Sequence, residues 1–315
     1  MILAGDIGGT NARLALFNPK IQIEKKYKCK EYNGLKEIVQ EFLQENQIQI
    51  DRACFGVAGP VRDNVCRATN LPWVVDGNEL ARELKIAQVF VLNDLEANAH
   101  GIGVLKANEL VVLNEGVPQK GNRALISAGT GLGEAGLIWD GTKYRPFACE
   151  GGHCDFAPRS DEEIGLLRFL KEKIGHVSYE RVLSGPGLFS IYEYLLAAGK
   201  IEAEPLVQET ADAAATISHL ALQGKKGCLE VVDRFVSIYG AEAGNVALKF
   251  LAFGGVYIGG GIAPKLLERL KVGSFVHSFC DKGRFRDLLS SIPIYVILNE
   301  DTALLGAAAF ARGAA

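Results

Sequence analysis

A chain of 315 residues, 48% hydrophobic and 23% charged, has the composition of a globular protein and the length for two cores rather than one. Its formal net charge of −3, with Lys and Arg dispersed, gives no electrostatic footprint for nucleic acid. The chain enters a strand at once, without a basic leader, and no apolar run approaches a membrane span, so the expectation is a cytoplasmic protein with no membrane partner.

The first predicted element is a strand at residues 2–4, which runs into Gly5-Asp6-Ile7-Gly8-Gly9-Thr10 and is followed by a strand at 14–17. Strand, Gly-rich turn, strand is a hairpin signature. Glycine lets backbone N–H groups approach an anion, so such a turn can form a nest around phosphate oxygens. It is neither a Walker A loop nor a dinucleotide Gly-x-Gly-x-x-Gly, both of which open a helix. Taken alone it is equally a tight turn. The same design returns later as Ala128-Gly129-Thr130-Gly131-Leu132-Gly133, between apolar runs at 124–128 and 135–139, and the repetition favours two phosphate clamps.

Between the two loops, Leu35, Ile38, Val39, Phe42 and Leu43 share one helical face, whereas 53–58 and 88–92 are short apolar runs suited to buried strands. Asp76 with Glu79 marks a capped helix start running to 85. Asn93-Asp94 then stands at the carboxyl end of a buried strand, where open α/β sheets bind ligands. Asp94 can accept a proton from a substrate hydroxyl while Asn93 orients that substrate; the same pair also suits a helix N-cap.

Beyond the second loop, Glu150-Gly151-Gly152-His153 sets a carboxylate and an imidazole around two glycines, a spacing that permits sharp reversal onto one polar ligand. Cys149, His153 and Cys154 lack a nearby fourth ligand, so no metal centre is expected there. All seven cysteines are dispersed, with no Cys-x-x-Cys, which fits reduced thiols. Ser160 with Glu163 opens a helix to about 174, Glu180 follows near a helix start at Ser178, and 207–250 is mostly helical with a Gly-Lys-Lys-Gly break. A strand at 255–258 leads into Gly259-Gly260-Gly261-Ile262-Ala263-Pro264, whose glycines would let a ligand approach a helix N-terminus. Residues 277–286, with Lys282, Arg284 and Arg286, read as a solvated basic turn. A strand at 294–298 and a helix at 302–311 close an α/β pattern.

Six motifs together resemble, in order and over nearly the whole chain, the bacterial ATP-dependent glucokinase family. They are Gly5-Asp6-Ile7-Gly8-Gly9-Thr10-Asn11-Ala12-Arg13, Leu92-Asn93-Asp94, Ala128-Gly129-Thr130-Gly131-Leu132-Gly133, Glu150-Gly151-Gly152-His153-Cys154-Asp155-Phe156-Ala157-Pro158, Glu180-Arg181-Val182-Leu183-Ser184-Gly185-Pro186-Gly187 and Gly254-Gly255-Val256-Tyr257-Ile258-Gly259-Gly260-Gly261. The resemblance implies an α/β, actin-like ATPase (ribonuclease H-like) fold with a ligand in the cleft between two lobes, each built on a mixed five-stranded sheet. The expected small lobe is 1–103, completed by 294–315, and the large one 104–293 with a helical insertion.

It also implies that Gly5, Asp6, Ile7, Gly8, Gly9 and Thr10, with Gly129, Thr130 and Gly131, hold the ATP phosphates, and that Gly260 and Gly261 lie near the nucleoside. Asp6 would help to position Mg2+ through water. Asn93, Asp94, Glu150, His153 and Glu180 would bind glucose, with Asp94 as the base at the 6-hydroxyl, and a homodimer is expected. Cys154 replaces the family's usual Val after Gly-Gly-His, a change between small buried side chains. The cysteine-rich zinc motif of the related repressor and sugar-kinase family is missing. Two other readings are a kinase for another hexose or an acylated amino sugar, and a non-catalytic ATP or sugar sensor on the same fold.

Overall fold

Ile2–Ile7 and Asn11–Phe17 form the first hairpin, antiparallel from Ile2↔Phe17 to Ile7↔Ala12, in a computed structural model that describes residues 1–313. Ile21–Lys28 adds an antiparallel edge on one side, and Arg52–Val57 and Gln88–Asn93 extend the other side in parallel. One face of this five-stranded sheet carries large residues: Leu3, Leu14 and Phe55 pack with Ile38, Val39 and Phe42 of the helix Leu35–Asn46. The other face carries small ones, Ala4, Ala15 and Cys54, beneath the helices Asp94–Ile102 and Thr302–Gly313. Those helices cross at glycine, because a Cβ at Gly101 would collide with the Thr302 carbonyl and one at Gly306 with that of Ala97.

A three-stranded sheet, Val61–Arg62, Val65–Arg67 and Val74–Asp76, belongs to the same unit. Its first turn puts Asp63 and Asn64 at φ of 53° and 64°, the left-handed pair that a two-residue hairpin needs. The Asn64 amide then accepts from Val91 N at 2.7 Å and donates to the Val89 carbonyl at 2.9 Å, fastening this sheet to the strand that ends in Asn93.

The second unit is built on the order Tyr144–Cys149, Leu132–Trp139, Arg123–Ala128, Val256–Gly259, Ile294–Ile297, Leu110–Asn114. Five of these strands repeat the order of the first sheet, and Leu110–Asn114 adds a sixth, antiparallel strand that the five-stranded expectation lacks. The 25-residue helix Lys226–Phe250 lies under the centre. Its Tyr239 hydroxyl donates to the Ile126 carbonyl at 3.2 Å and accepts from Ala128 N at 3.3 Å, within a core holding Phe235, Phe275 and Phe279.

The units divide as Met1–Ala107 with Pro146–Ala148 and the segment from Asn299, against Asn108–Arg145 with Cys149–Leu298. The expected return to the first unit at 294 is therefore too early. Ile294–Ile297 pairs parallel with Val256–Gly259 in the second sheet, and the chain rejoins the first unit only after Leu298. Lys282 also departs from expectation: it is half-buried, its stem lies against Gly244, and burial together with Arg159 lowers its pKa. Every cysteine is a free thiol. Among the described residues no helix is long and apolar enough to cross a membrane.

Candidate active site

In the first unit the pairing Ile7↔Val57↔Asn93 brings three parallel strands to an end at one level. The loop Gly8-Gly9-Thr10 and the pair Asn93-Asp94 therefore leave the sheet at its carboxyl edge together. The loop is tied by Gly8 N to the Asn11 carbonyl and by Cys29 N to the Thr10 carbonyl, both at 3.0 Å. Glycine at 5 is a packing requirement, since a Cβ there would lie 2.5 Å from the Phe55 ring. Asp6 is half-buried opposite Arg13; burial raises its pKa, and the Arg13 charge opposes that shift. Arg13 is held by Glu24 at 2.7 Å, by Asp301 and by the Glu300 carbonyl at 2.9 Å, so its charge is fixed beside the loop.

Asn93 is the N-cap of the helix Asp94–Ile102. Its Oδ1 accepts from Leu95 N at 2.9 Å and Glu96 N at 3.3 Å, while its Nδ2 donates to the Gly59 carbonyl at 3.0 Å. One amide N–H is left over from that set. Asp94 opens the helix, half-buried, with Oδ1 accepting from Leu95 N at 3.0 Å. The capping reading of this pair is thus what the geometry shows.

In the second unit Arg123–Ala128 and Leu132–Trp139 enclose Gly129-Thr130-Gly131 in the same hairpin design, closing at Ala128↔Leu132. Gly185 N donates to the Gly129 carbonyl at 2.8 Å, which ties the loop to the start of the helix Gly185–Ala197. Glu180, in the 3-10 turn Tyr179–Arg181, accepts from Leu132 N at 3.0 Å through Oε2, and a Cβ at Gly131 would collide with that oxygen. Glu150 and His153 flank the 3-10 turn Gly151–His153 and are exposed. The turn lies flat on the strand beneath it because Gly151 and Gly152 have no Cβ to strike Glu134 and the Leu132 carbonyl. Ser127↔Gly259 brings Gly260 out beside the loop, at φ 81°, where a Cβ would collide with the Ala128 carbonyl.

Next to this loop lies a cavity of about 500 Å3, bordered by Thr130, Gly185, Phe189, Asp212, Gly261 and Lys265. Gly261 opens onto free space, with nothing within 4 Å of its Cβ position. The sequence reading missed Phe189, Asp212 and Lys265. Asp212 had a signal, since it caps the helix Ala213–Leu222 by accepting from Ala215 N at 3.0 Å; a lone Phe and a lone Lys had none.

The family model described as Glucokinase matches residues 3–314. A glucokinase of Synechocystis is 43% identical, covering 97% of this chain and 96% of that protein; one of Nostoc is 41% identical with 98% of each covered. The crystal structure of a glucokinase from an Antarctic psychrotroph superposes with a TM-score of 0.85 at 33% identity, over 99% of this chain and 98% of that one. A ROK family glucokinase from Streptomyces griseus, solved with glucose and AMPPNP, shares the fold at a TM-score of 0.71 and 20% identity, over 99% of each chain. With its paired loops, its strand-end Asn93-Asp94 and its match over nearly the full length, this chain belongs to the glucokinase family.

Proposed function

We propose that this protein transfers the γ-phosphoryl group of ATP to the 6-hydroxyl of glucose, with Asp94 as the base. The observation that carries the reading is the strand-end placement of Asp94, level with the first Gly-rich loop and held at a helix N-terminus by its own bond to Leu95 N. A helix N-terminus favours the ionised carboxylate, which is the form that can take a proton.

The remaining roles follow from which atoms the fold leaves available. Asn93 has its oxygen committed to two backbone donors and one amide hydrogen committed to Gly59, so its other N–H is the group offered to a sugar oxygen. Glu180 spends Oε2 on Leu132 N and offers Oε1 to a hydroxyl. Glu150 and His153 supply an acceptor and a ring nitrogen from an adjacent turn. A pyranose suits this set, since each hydroxyl can donate to a carboxylate while accepting from an amide or imidazole. Gly9 and Thr10 in the first loop and Thr130 and Gly131 in the second contribute backbone donors for the phosphates, since Gly8 N and Gly129 N are spent within their loops, and the cavity beside Gly261 takes the nucleoside.

Asp6 fits a role beside Mg2+, because burial raises the pKa of its carboxyl group and a neighbouring cation favours the ionised form. Bound there through water, Mg2+ would neutralise charge on the transferring group. The protein's own part is positioning and charge stabilisation, with Asp94 removing the hydroxyl proton late in the transfer.

The test is Mg2+-dependent ADP release from ATP with glucose, mannose, fructose, N-acetylglucosamine, N-acetylmannosamine or no sugar. Strong turnover with glucose and little without sugar is the expected result. Turnover with another sugar alone would move the specificity, and nucleotide binding without any turnover would replace the kinase with a sensor.

A further inference from the structure

Glu134 and Glu242 are the two most deeply buried acids of the second unit, at 1% and 0% exposure, and the sugar and phosphate roles above use neither. Glu242 has two donors, Asn245 Nδ2 at 2.7 Å and Lys249 Nζ at 3.3 Å. Glu134 hydrogen-bonds Glu242, while its Oε1 meets no N–H or O–H donor among the described residues. Two carboxyl groups bond to each other only through a proton, and the group already served by two donors is the acceptor. Glu134 is therefore the protonated member.

The pair touches both turns that carry the proposed sugar ligands. Glu134 Oε2 lies against Gly151, in the turn bounded by Glu150 and His153. Tyr179, whose hydroxyl accepts at 3.0 Å from the same Asn245 amide that donates to Glu242, immediately precedes Glu180. Backbone bonds join the same segments, Tyr179 N to the Cys154 carbonyl at 2.9 Å and Phe156 N to the Val177 carbonyl at 3.0 Å.

We propose that Glu134 is a positioning residue for sugar binding: by sharing one proton with Glu242 it holds the turns Gly151–His153 and Tyr179–Arg181 at the spacing the sugar needs. The proposal rests on the reading that Glu150, His153 and Glu180 contact the sugar. Removal of the shared proton sets two carboxylates against each other beneath Gly151, and the turns spread. Burial and the Glu242 charge push the Glu134 pKa up to about 8, so the loss falls in the alkaline range.

The groups facing the pair do not mimic this titration. Tyr239 and Tyr179 are pushed up by burial, as is Cys149, whose Sγ donates to the Glu134 carbonyl at 3.4 Å. Lys249 and Arg159 face Glu242 or its partners as cations, Glu163 is paired with Arg159 at 2.9 Å, and Lys282, whose pKa burial lowers, is common to wild type and both variants and cancels in the comparison. Cys154, the exposed thiol whose charge Lys249 senses, is present in wild type and variant alike and cancels in the comparison.

The experiment is steady-state kinetics of glucose phosphorylation from pH 7 to 9.5 for wild type, Glu134→Gln and Glu242→Gln. In wild type the KM for glucose is expected to rise above pH 8, by up to about tenfold per pH unit, while kcat and the KM for ATP change little. Glu134→Gln keeps a donor to Glu242 at every pH, so its glucose KM should stay flat over the range. In Glu242→Gln the opposing charge is gone, and the rise should be lost or displaced. A rise of equal size and midpoint in wild type and both variants, or a flat wild-type profile, would overturn the positioning role alone. A wild type that turns over no glucose would overturn the kinase reading and this proposal with it. Should Glu134→Gln fail to fold, the wild-type profile and Glu242→Gln still decide the question.

Discussion

In the proposed role of base, Asp94 carries the heaviest demand on any single side chain, because it must be ionised, oriented and close to a hydroxyl at once. Replacing it with Asn keeps the shape, and a side-chain oxygen can still accept from Leu95 N, so the helix start should survive. Turnover should fall by about 10²-fold or more, with the KM for ATP little changed. Steady-state kinetics of Asp94→Asn would check this, and an enzyme running near the wild-type rate would remove Asp94 from the base role. Asn93 shows how much of a residue's bonding a sequence conceals. Its identity at a strand end was legible, but the bond to Gly59, distant in sequence, depends on a loop conformation that no local pattern encodes.

At the scale of elements, the legible parts were those whose signal is local. Asp76 caps the helix Gly77–Leu84 through Asn78 N and Glu79 N, and Ser160 caps Asp161–Ile174 through Glu163 N, as their spacing predicts. Even there the Ser160 box differs in one bond: Glu163 reaches back to Arg159 N at 2.7 Å rather than to the cap residue itself. Edge strands were less visible. Ile21–Lys28 alternates Ile with Gln, Glu and Lys and buries little beyond Tyr27, so its pattern is weak, and its charges suit an unpaired edge. The sixth strand Leu110–Asn114 depends on a partner near the far end of the chain, information that spacing cannot hold. The crossing of Asp94–Ile102 with Thr302–Gly313 is the element contact most exposed to a single change. Gly306→Ala would force a methyl group into the Ala97 carbonyl and should cost about 1–3 kcal/mol, read as a lowered urea midpoint with an unchanged slope.

The whole molecule repeats one strand order twice, three antiparallel strands followed by parallel ones, with a Gly-rich turn at the same place in each sheet. Each unit has its own core, with Phe42 and Phe55 in one and Phe235, Tyr239 and Phe275 in the other, so neither sheet depends on the other for its interior. Glucose and ATP each select the native chain, and each should raise its unfolding temperature, by an amount equivalent to about 2.7 kcal/mol at a ligand concentration of 100 Kd. Thermal unfolding with glucose, with a non-hydrolysable ATP analogue and with both would measure this. A glucose effect no larger than that of a sugar the enzyme does not phosphorylate would count against specific binding.

The bond from Leu132 N to Glu180 has a consequence for how this protein can change over generations. One carboxylate oxygen braces the backbone at the end of the second Gly-rich loop, and in the proposed function the other accepts from a sugar hydroxyl. A lineage that shortened this acid to alter its sugar would orphan a backbone donor at the loop, and one that added a side chain at Gly131 would evict the acid. On the proposed roles, sugar preference and nucleotide handling would thereby be inherited together: drift at either position is viable only with a matching change at the other.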